Sequence, residues 1–170
     1  MNFLELAKAR YSCRKISDKP IEQEKLDQIL EAGIVAPTAK NLQPYRIWVI
    51  KSAEAFEKLK GALHTPFGAS TVLIIGGNKQ EAYTRTDGVN FAVIDATIVA
   101  THILLAIEDV GLATTWVGGT YDDAKLKEIF PEMKDYEIVA LFPIGYAADD
   151  AKPSPRHEDR RPKAETVITL

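Results

Sequence analysis

The chain has 170 residues, enough for a single domain enclosing a real hydrophobic core. Hydrophobic residues make up 46% and charged residues 26%, the balance of an ordinary soluble globular protein. A formal charge of −3 argues against a nucleic-acid partner, whose binding surfaces are basic, but leaves room for a local cationic cluster around one small anion.

In chain order, Asn2 is placed to cap a short helix with Glu5 at its third position and Phe3, Leu6 and Ala7 on its apolar face, ending near Arg10. A second helix follows Pro20, with Ile21, Leu26, Ile29 and Leu30 at helical spacing and Gly33 near its end. The turn-rich stretch from Ala36 to Pro44 leads into a strand over Tyr45 to Ile50. Ser52 suits the cap of a third helix carried by Phe56, Leu59 and Leu63. Thr71 to Ile75, bounded by Gly76-Gly77, reads as a buried strand. The longest helical pattern runs from about Asn90 to Val110 and closes at Gly111. Its apolar residues, among them Phe91, Ile94, Ile98, Val99, Ile103, Leu104 and Ile107, cover more than one face, which calls for burial on several sides and suggests a subunit interface. Thr114 to Val117 suggests a short strand ending at Gly118-Gly119, Asp122 to Phe130 a helix stopping before Pro131, and Glu137 to Ile144 a core strand. Beyond Gly145 the composition turns charged and proline-bearing. Residues 148–170 are expected to form an extended C-terminal segment of one domain covering 1–170, with a β-branched tail suited to pairing with a sheet.

Targeting and compartment are read from the same residues. Glu5, Lys8 and Arg10 do not suit the apolar core of a signal peptide. No apolar run reaches the roughly 18–20 residues that cross a bilayer. Cys13 is the only cysteine, so no internal disulfide forms, and a cytoplasmic, membrane-free protein is expected.

The chemistry begins with exclusions. His64, His102 and His157 are scattered and form no metal-ligand spacing, so no metal site is expected. No nucleophile-elbow, dinucleotide or phosphate-loop motif is present. Four dispersed pieces remain. Arg10, Ser12 and Arg14 alternate, so an extended chain points all three to one side, where two guanidiniums and a hydroxyl suit a phosphate monoester; a solvated charged face is the bland alternative. Asn41 and Gln43, in Pro37-Thr38-Ala39-Lys40-Asn41-Leu42-Gln43-Pro44, are amides able to read a polyol or a heterocycle edge, or simply turn residues. Trp116-Val117-Gly118-Gly119 gives a planar ligand room beside the backbone, or makes a tight turn. Arg156, Arg160 and Arg161 form a late cationic group, a solvated tail on the plainest reading.

In this order the pieces resemble the nitroreductase family of FMN flavoproteins: Arg10-x-Ser12-x-Arg14, Pro37-Thr38-x-x-Asn41-x-Gln43-Pro44, Gly111 to Gly118, Ile144-Gly145-Tyr146, and Arg160-Arg161-Pro162. The resemblance implies an α+β fold, a central mostly antiparallel sheet flanked by helices, in an intertwined homodimer with FMN at the subunit interface. It implies that Arg10, Ser12 and Arg160 or Arg161 hold the phosphate, next to Tyr11, and that Arg14 lies near the pyrimidine edge. Asn41 and Gln43 meet the polar edge or ribityl chain, and Pro37 and Thr38 cover the ring from the partner. Trp116, Val117, Gly118 and Gly119 line the ring. The implied reaction is hydride transfer from NAD(P)H to the flavin and on to a nitroaromatic, quinone or flavin, with no side chain assigned a catalytic role. Many relatives carry an acidic residue at the place of Gly118 and a basic one at that of Glu158, and this chain resembles a compact member. Two other readings stay open: a flavin carrier or protein-reduced flavoprotein, and a thiol redox protein built on Cys13 between Arg10 and Arg14.

Overall fold

The computed structural model describes residues 2–170. Four strands make one fully antiparallel sheet in the order β1-β2-β4-β3, comprising β1 (Tyr45–Ile50), β2 (Thr71–Asn78), β3 (Ala113–Thr114) and β4 (Tyr136–Gly145). Six helices among the described residues flank it: α1 (Phe3–Ala9), α2 (Gln23–Ile34), α3 (Ala53–Leu59), α4 (Ala92–Asp109), α5 (Asp123–Ile129) and α6 (Lys163–Thr166). This is the expected α+β class.

Strand alternation sorts the core into two layers. Leu73, Ile75, Ala140 and Phe142 face α2 and α4, meeting Ile29, Val99, Ile103 and Ile107. Val72, Ile74 and Leu141 face α3 and α5, meeting Leu59, Leu126 and Met133. All eight residues of β2 are buried, which explains why its sequence is continuously apolar rather than alternating.

Helix starts follow side-chain chemistry closely. Asn2 and Glu5 form the reciprocal capping box at α1, Ser52 accepts from the Ala55 N–H, and Asp122 from the Lys125 N–H. Phe3, expected on the buried face of α1, is instead 70% exposed, and only Leu6 of that helix is buried. Leu63 lies beyond the end of α3 but is buried all the same.

Gly33 lies in the last turn of α2, near the helix end as expected, and a Cβ there would stand 2.9 Å from Ile103; it lets α2 and α4 close on each other. Two other glycine-based boundaries need correction. β2 does not stop at Gly76 but continues to Asn78, with a register shift between Ile75 and Gly76. A Cβ on Gly77 would lie 2.1 Å from the Ala92 carbonyl oxygen, so this glycine seats the first turn of α4 against the sheet. The expected strand Thr114 to Val117 pairs only over Ala113–Thr114, with pairing resuming in the same register at Val117 and Leu141. The interruption falls opposite Pro143, which has no N–H to give the ladder. Residues 148–170 are mostly irregular, holding a 3-10 turn (Pro155–His157) and the short α6. Val167 and Ile168 are exposed in the chain taken alone.

Candidate anion and cofactor site

The segment after α1 runs extended. The Cys13 N–H donates to the Thr114 carbonyl at 2.9 Å and the Ile16 N–H to Phe67 at 2.8 Å, holding the chain along β3 and the loop before β2. Alternation puts Arg10, Ser12 and Arg14 on one side, and together with Tyr11 they line a cleft of about 280 Å³. Cys13, between Ser12 and Arg14, turns inward against Ala69 and Ala113, where Ile16 is buried as well. Ser154, Arg156, His157 and Arg160 close the cleft from the C-terminal segment. The Ser154 hydroxyl accepts from the Arg156 N–H and starts the 3-10 turn, while His157 Nε2 lies 3.1 Å from the Lys8 carbonyl oxygen and its ring meets Tyr11 edge-on. Proline and serine therefore do more here than mark a solvated tail: they shape the turn that brings two arginines back to the N-terminus.

Among the described residues, none of Arg10, Arg14, Arg156 and Arg160 forms an ion pair with a carboxylate. Arg14 reaches only the Ser12 carbonyl at 3.4 Å, and Arg160 only that of Asp159 at 2.7 Å. Four guanidiniums facing one cleft repel each other unless an anion stands between them. Burial pushes the Tyr11 phenol up to about 12, so it stays neutral and adds no negative charge at neutral pH. Glu108, the carboxyl whose titration feels Arg10, is itself raised by burial, with the Arg10 charge only partly offsetting this. The chemistry offered is that of a phosphate site: forked donors, the hydroxyls of Tyr11, Ser12 and Ser154, and little competing acid.

Of the late cations, Arg160 lines the cleft and Arg161 does not. Arg156, part of the late cationic group but not of the family motif, lines it too, whereas Ser154 and His157 were not singled out in the sequence. Glu158, where many relatives are basic, stays outside the lining, and the positive charge comes instead from Arg156 beside it in the chain.

The other two pieces lie elsewhere. Pro37, Asn41 and Gln43 are exposed and Thr38 half-buried on the loop before β1, with no hydrogen bond to the cleft among the described residues. Trp116 points inward, donating from Nε1 to the Val139 carbonyl at 3.1 Å and packing edge-on against Phe142, and Val117 is buried in its bridge to Leu141. These two therefore offer a ligand only their backbone. Gly118 and Gly119 are exposed, and a Cβ on Gly119 would meet nothing within 4 Å, so the backbone there is open to a flat group.

Comparison with known proteins gives the decisive observation: the nitroreductase family model matches residues 7–146, most of the chain. The chain belongs to the nitroreductase family. It is therefore an oxidoreductase by family. A nitroreductase family protein from Clostridium difficile 630 is 36% identical, with full coverage of both chains and a TM-score of 0.90. An NADH dehydrogenase/NAD(P)H nitroreductase of Methanothermobacter thermautotrophicus is 27% identical, aligned over 88% of this chain and 80% of its own length. A nitroreductase from Exiguobacterium sibiricum 255-15, solved in complex with FMN, is 23% identical; the match covers 100% of this chain and 98% of that one, with a TM-score of 0.83, a likeness of fold. The chain spans 64% of the length of a longer Staphylococcus aureus NADPH-dependent oxidoreductase that it also matches.

The Cys13 reading finds no support in the structure. The thiol is 1% exposed and donates to the Lys15 carbonyl at 3.2 Å, whereas a reactive thiolate needs an accessible, electropositive setting. Among the described residues no group of three or more His, Cys, Asp or Glu side chains is placed to hold a metal. No helix among them is long and apolar enough to cross a membrane.

Proposed function

We propose that this nitroreductase family member is a cytoplasmic FMN-dependent oxidoreductase that takes hydride from NAD(P)H and reduces electron-poor acceptors such as nitroaromatics, quinones or flavins. The cleft of unpaired arginines carries the reading, because its donors fit a phosphate monoester and no carboxylate among the described residues forms an ion pair with them. The name of the methanogen relative and the FMN held by the Exiguobacterium protein support donor and cofactor.

In this reading Arg10, Ser12 and Arg160 grip the phosphate, joined by Arg156, and Tyr11 packs beside it. Arg14 sets a fixed positive charge at the ring end of the cleft, where negative charge gathers on reduction. Gly118 and Gly119 leave the backbone free to approach the ring. Bound FMN supplies the hydride relay, and the chain supplies position and field. Pro37, Thr38, Asn41 and Gln43 serve the site of a second copy in a homodimer, since they stand apart from the cleft of their own chain. Exposed apolar side chains support that assembly: Phe3 and Leu4 on α1, Val35 after α2, and Val93 and Ile94 on α4. Phe3 also lines, with Ala32, Leu105 and Ala106, a groove of about 520 Å³ between these helices.

Arg10→Ala tests the reading. Losing one charge-assisted contact is expected to weaken FMN binding about 10- to 100-fold and give colourless protein. FMN titration by fluorescence quenching measures this, and unchanged affinity would refute the phosphate assignment. Anaerobic mixing of the yellow wild type with NADH or NADPH is expected to bleach it; a flavin that stays oxidised with both would leave a carrier rather than an oxidoreductase.

A further inference from the structure

Asp95 is the only charged side chain in the buried interior of the described residues, at 1% exposure. It lies in the first turn of α4, whose partial positive end offsets some of the cost of burying a carboxylate. Its Oδ1 accepts the Ala39 N–H at 2.9 Å. Its Oδ2 is buried with no hydrogen-bond partner among the described residues. An acceptor left in that state is a net cost to folding, and a leucine of similar size would fill the space without it. What the carboxylate gains is therefore at Ala39.

Ala39 opens the 3-10 turn in the loop that carries Asn41 and Gln43. Within five residues three non-glycine residues adopt left-handed backbone: Lys40 at φ 52°, Asn41 at 55° and Gln43 at 52°. Each such residue is strained, so the loop keeps this shape only if its surroundings hold it. The remaining side-chain fastenings are superficial. Thr38 Oγ1 accepts from the Gln43 N–H, the Gln43 amide reaches Asn41, and the Lys40 ammonium stands 4.0 Å over the Tyr83 ring. The bond from Ala39 to Asp95 is the one side-chain hydrogen bond, among the described residues, that ties this loop to the buried core.

We propose that Asp95 is a positioning residue for the cofactor site: its buried carboxylate clamps the strained loop so that Asn41 and Gln43 are presented to the flavin. The proposal rests on the flavin reading above, but the clamp has its own readouts. Asp95→Leu removes the acceptor together with the unpaired oxygen, and the variant is expected to fold with a thermal midpoint at or above wild type. Its FMN affinity is expected to fall about tenfold, the worth of one hydrogen bond. Affinity for inorganic phosphate in FMN-free protein, which reads the arginine cleft, is expected to change less than about twofold. Asp95→Asn keeps an oxygen for Ala39 and is expected to bind FMN within about threefold of wild type.

Equal FMN affinity in Asp95→Leu, parallel loss of FMN and phosphate, or an equal loss in Asp95→Asn would each overturn the proposal. Hydrogen exchange in FMN-free wild type gives a test that needs no variant. The Ala39 amide is expected to exchange at least about tenfold more slowly than that of Lys40, and equal rates would also overturn it. A wild type that binds no FMN while its Ala39 amide stays protected would sink the flavin reading instead.

Discussion

Arg10, Ser12, Arg14 and Arg160 come from opposite ends of the chain and meet around one cleft, whereas Pro37, Thr38, Asn41 and Gln43 stand together on a loop that shares neither lining nor hydrogen bond with it. The first group is assembled by long-range backbone bonds, from Cys13 to Thr114 and from Ile16 to Phe67. The second is one contiguous stretch of chain, shaped by its own turn and tied to the core through the Ala39 N–H and the buried Asp95 carboxylate. On the proposed reading, the cleft is a half-site completed within one chain and the loop a half-site offered to a second copy, so that two copies share two sites. Each half also fails differently: the cleft by loss of charge, the loop by loss of shape.

The sharpest way to break this comparison is complementation. An Arg10→Ala chain and an Asn41→Ala/Gln43→Ala chain are each expected to be FMN-poor. If the loop serves the other copy's cleft, a mixed dimer holds one doubly damaged site and one intact site. Refolding the two chains together at equal amounts then restores FMN to roughly a quarter of all sites, by random pairing. If cleft and loop served the same chain's site, every site would carry damage and no flavin would return. Flavin absorbance per protein after gel filtration decides between them.

A smaller effect tests where the cleft ends. Arg160 lines it and Arg161 does not, although they are neighbours in sequence. Arg160→Ala is expected to weaken FMN binding about tenfold or more, and Arg161→Ala less than about threefold, as for a solvated surface charge. Equal losses would mean that the charge of the tail, rather than the position of one guanidinium, holds the anion.

The two regions also differ in how far sequence could reveal them. Periodicity and capping chemistry are local, so Asn2 with Glu5, Ser52 and Asp122 marked helix starts that the fold keeps. The alternation of Arg10, Ser12 and Arg14 likewise foretold their common side. Long-range contacts left no such trace. Gly33 and Gly77 look like punctuation, but they are places where α4 comes too close for a Cβ, which only the packed structure reveals. Pro143 broke the strand opposite it, and nothing near Thr115 announces that. Arg156 and His157 joined the cleft because Ser154 and Pro155 turn the chain back, a placement invisible to a motif centred on Arg160. Asp95 reads as one acid in an apolar helix, and its partner lies 56 residues away.

The smallest expected effect concerns the residue between the two arginines. Cys13 is flanked by cations in sequence, yet the extended backbone turns it to the opposite side, where it packs on Ile16, Ala69 and Ala113 and donates to Lys15. Cys13→Ala removes a small buried group and a weak hydrogen bond, a loss of about 1 kcal/mol, or roughly 2–4 °C in thermal midpoint for a domain of this size. FMN affinity and the rate of flavin bleaching by NAD(P)H are expected to stay at wild-type values, because the thiol touches no side chain of the cleft apart from the edge of Tyr11. A large loss of reduction rate with stability intact would put the sulfur into the reaction, and with it would fall the division between an inward, structural side of this segment and an outward, anion-binding one.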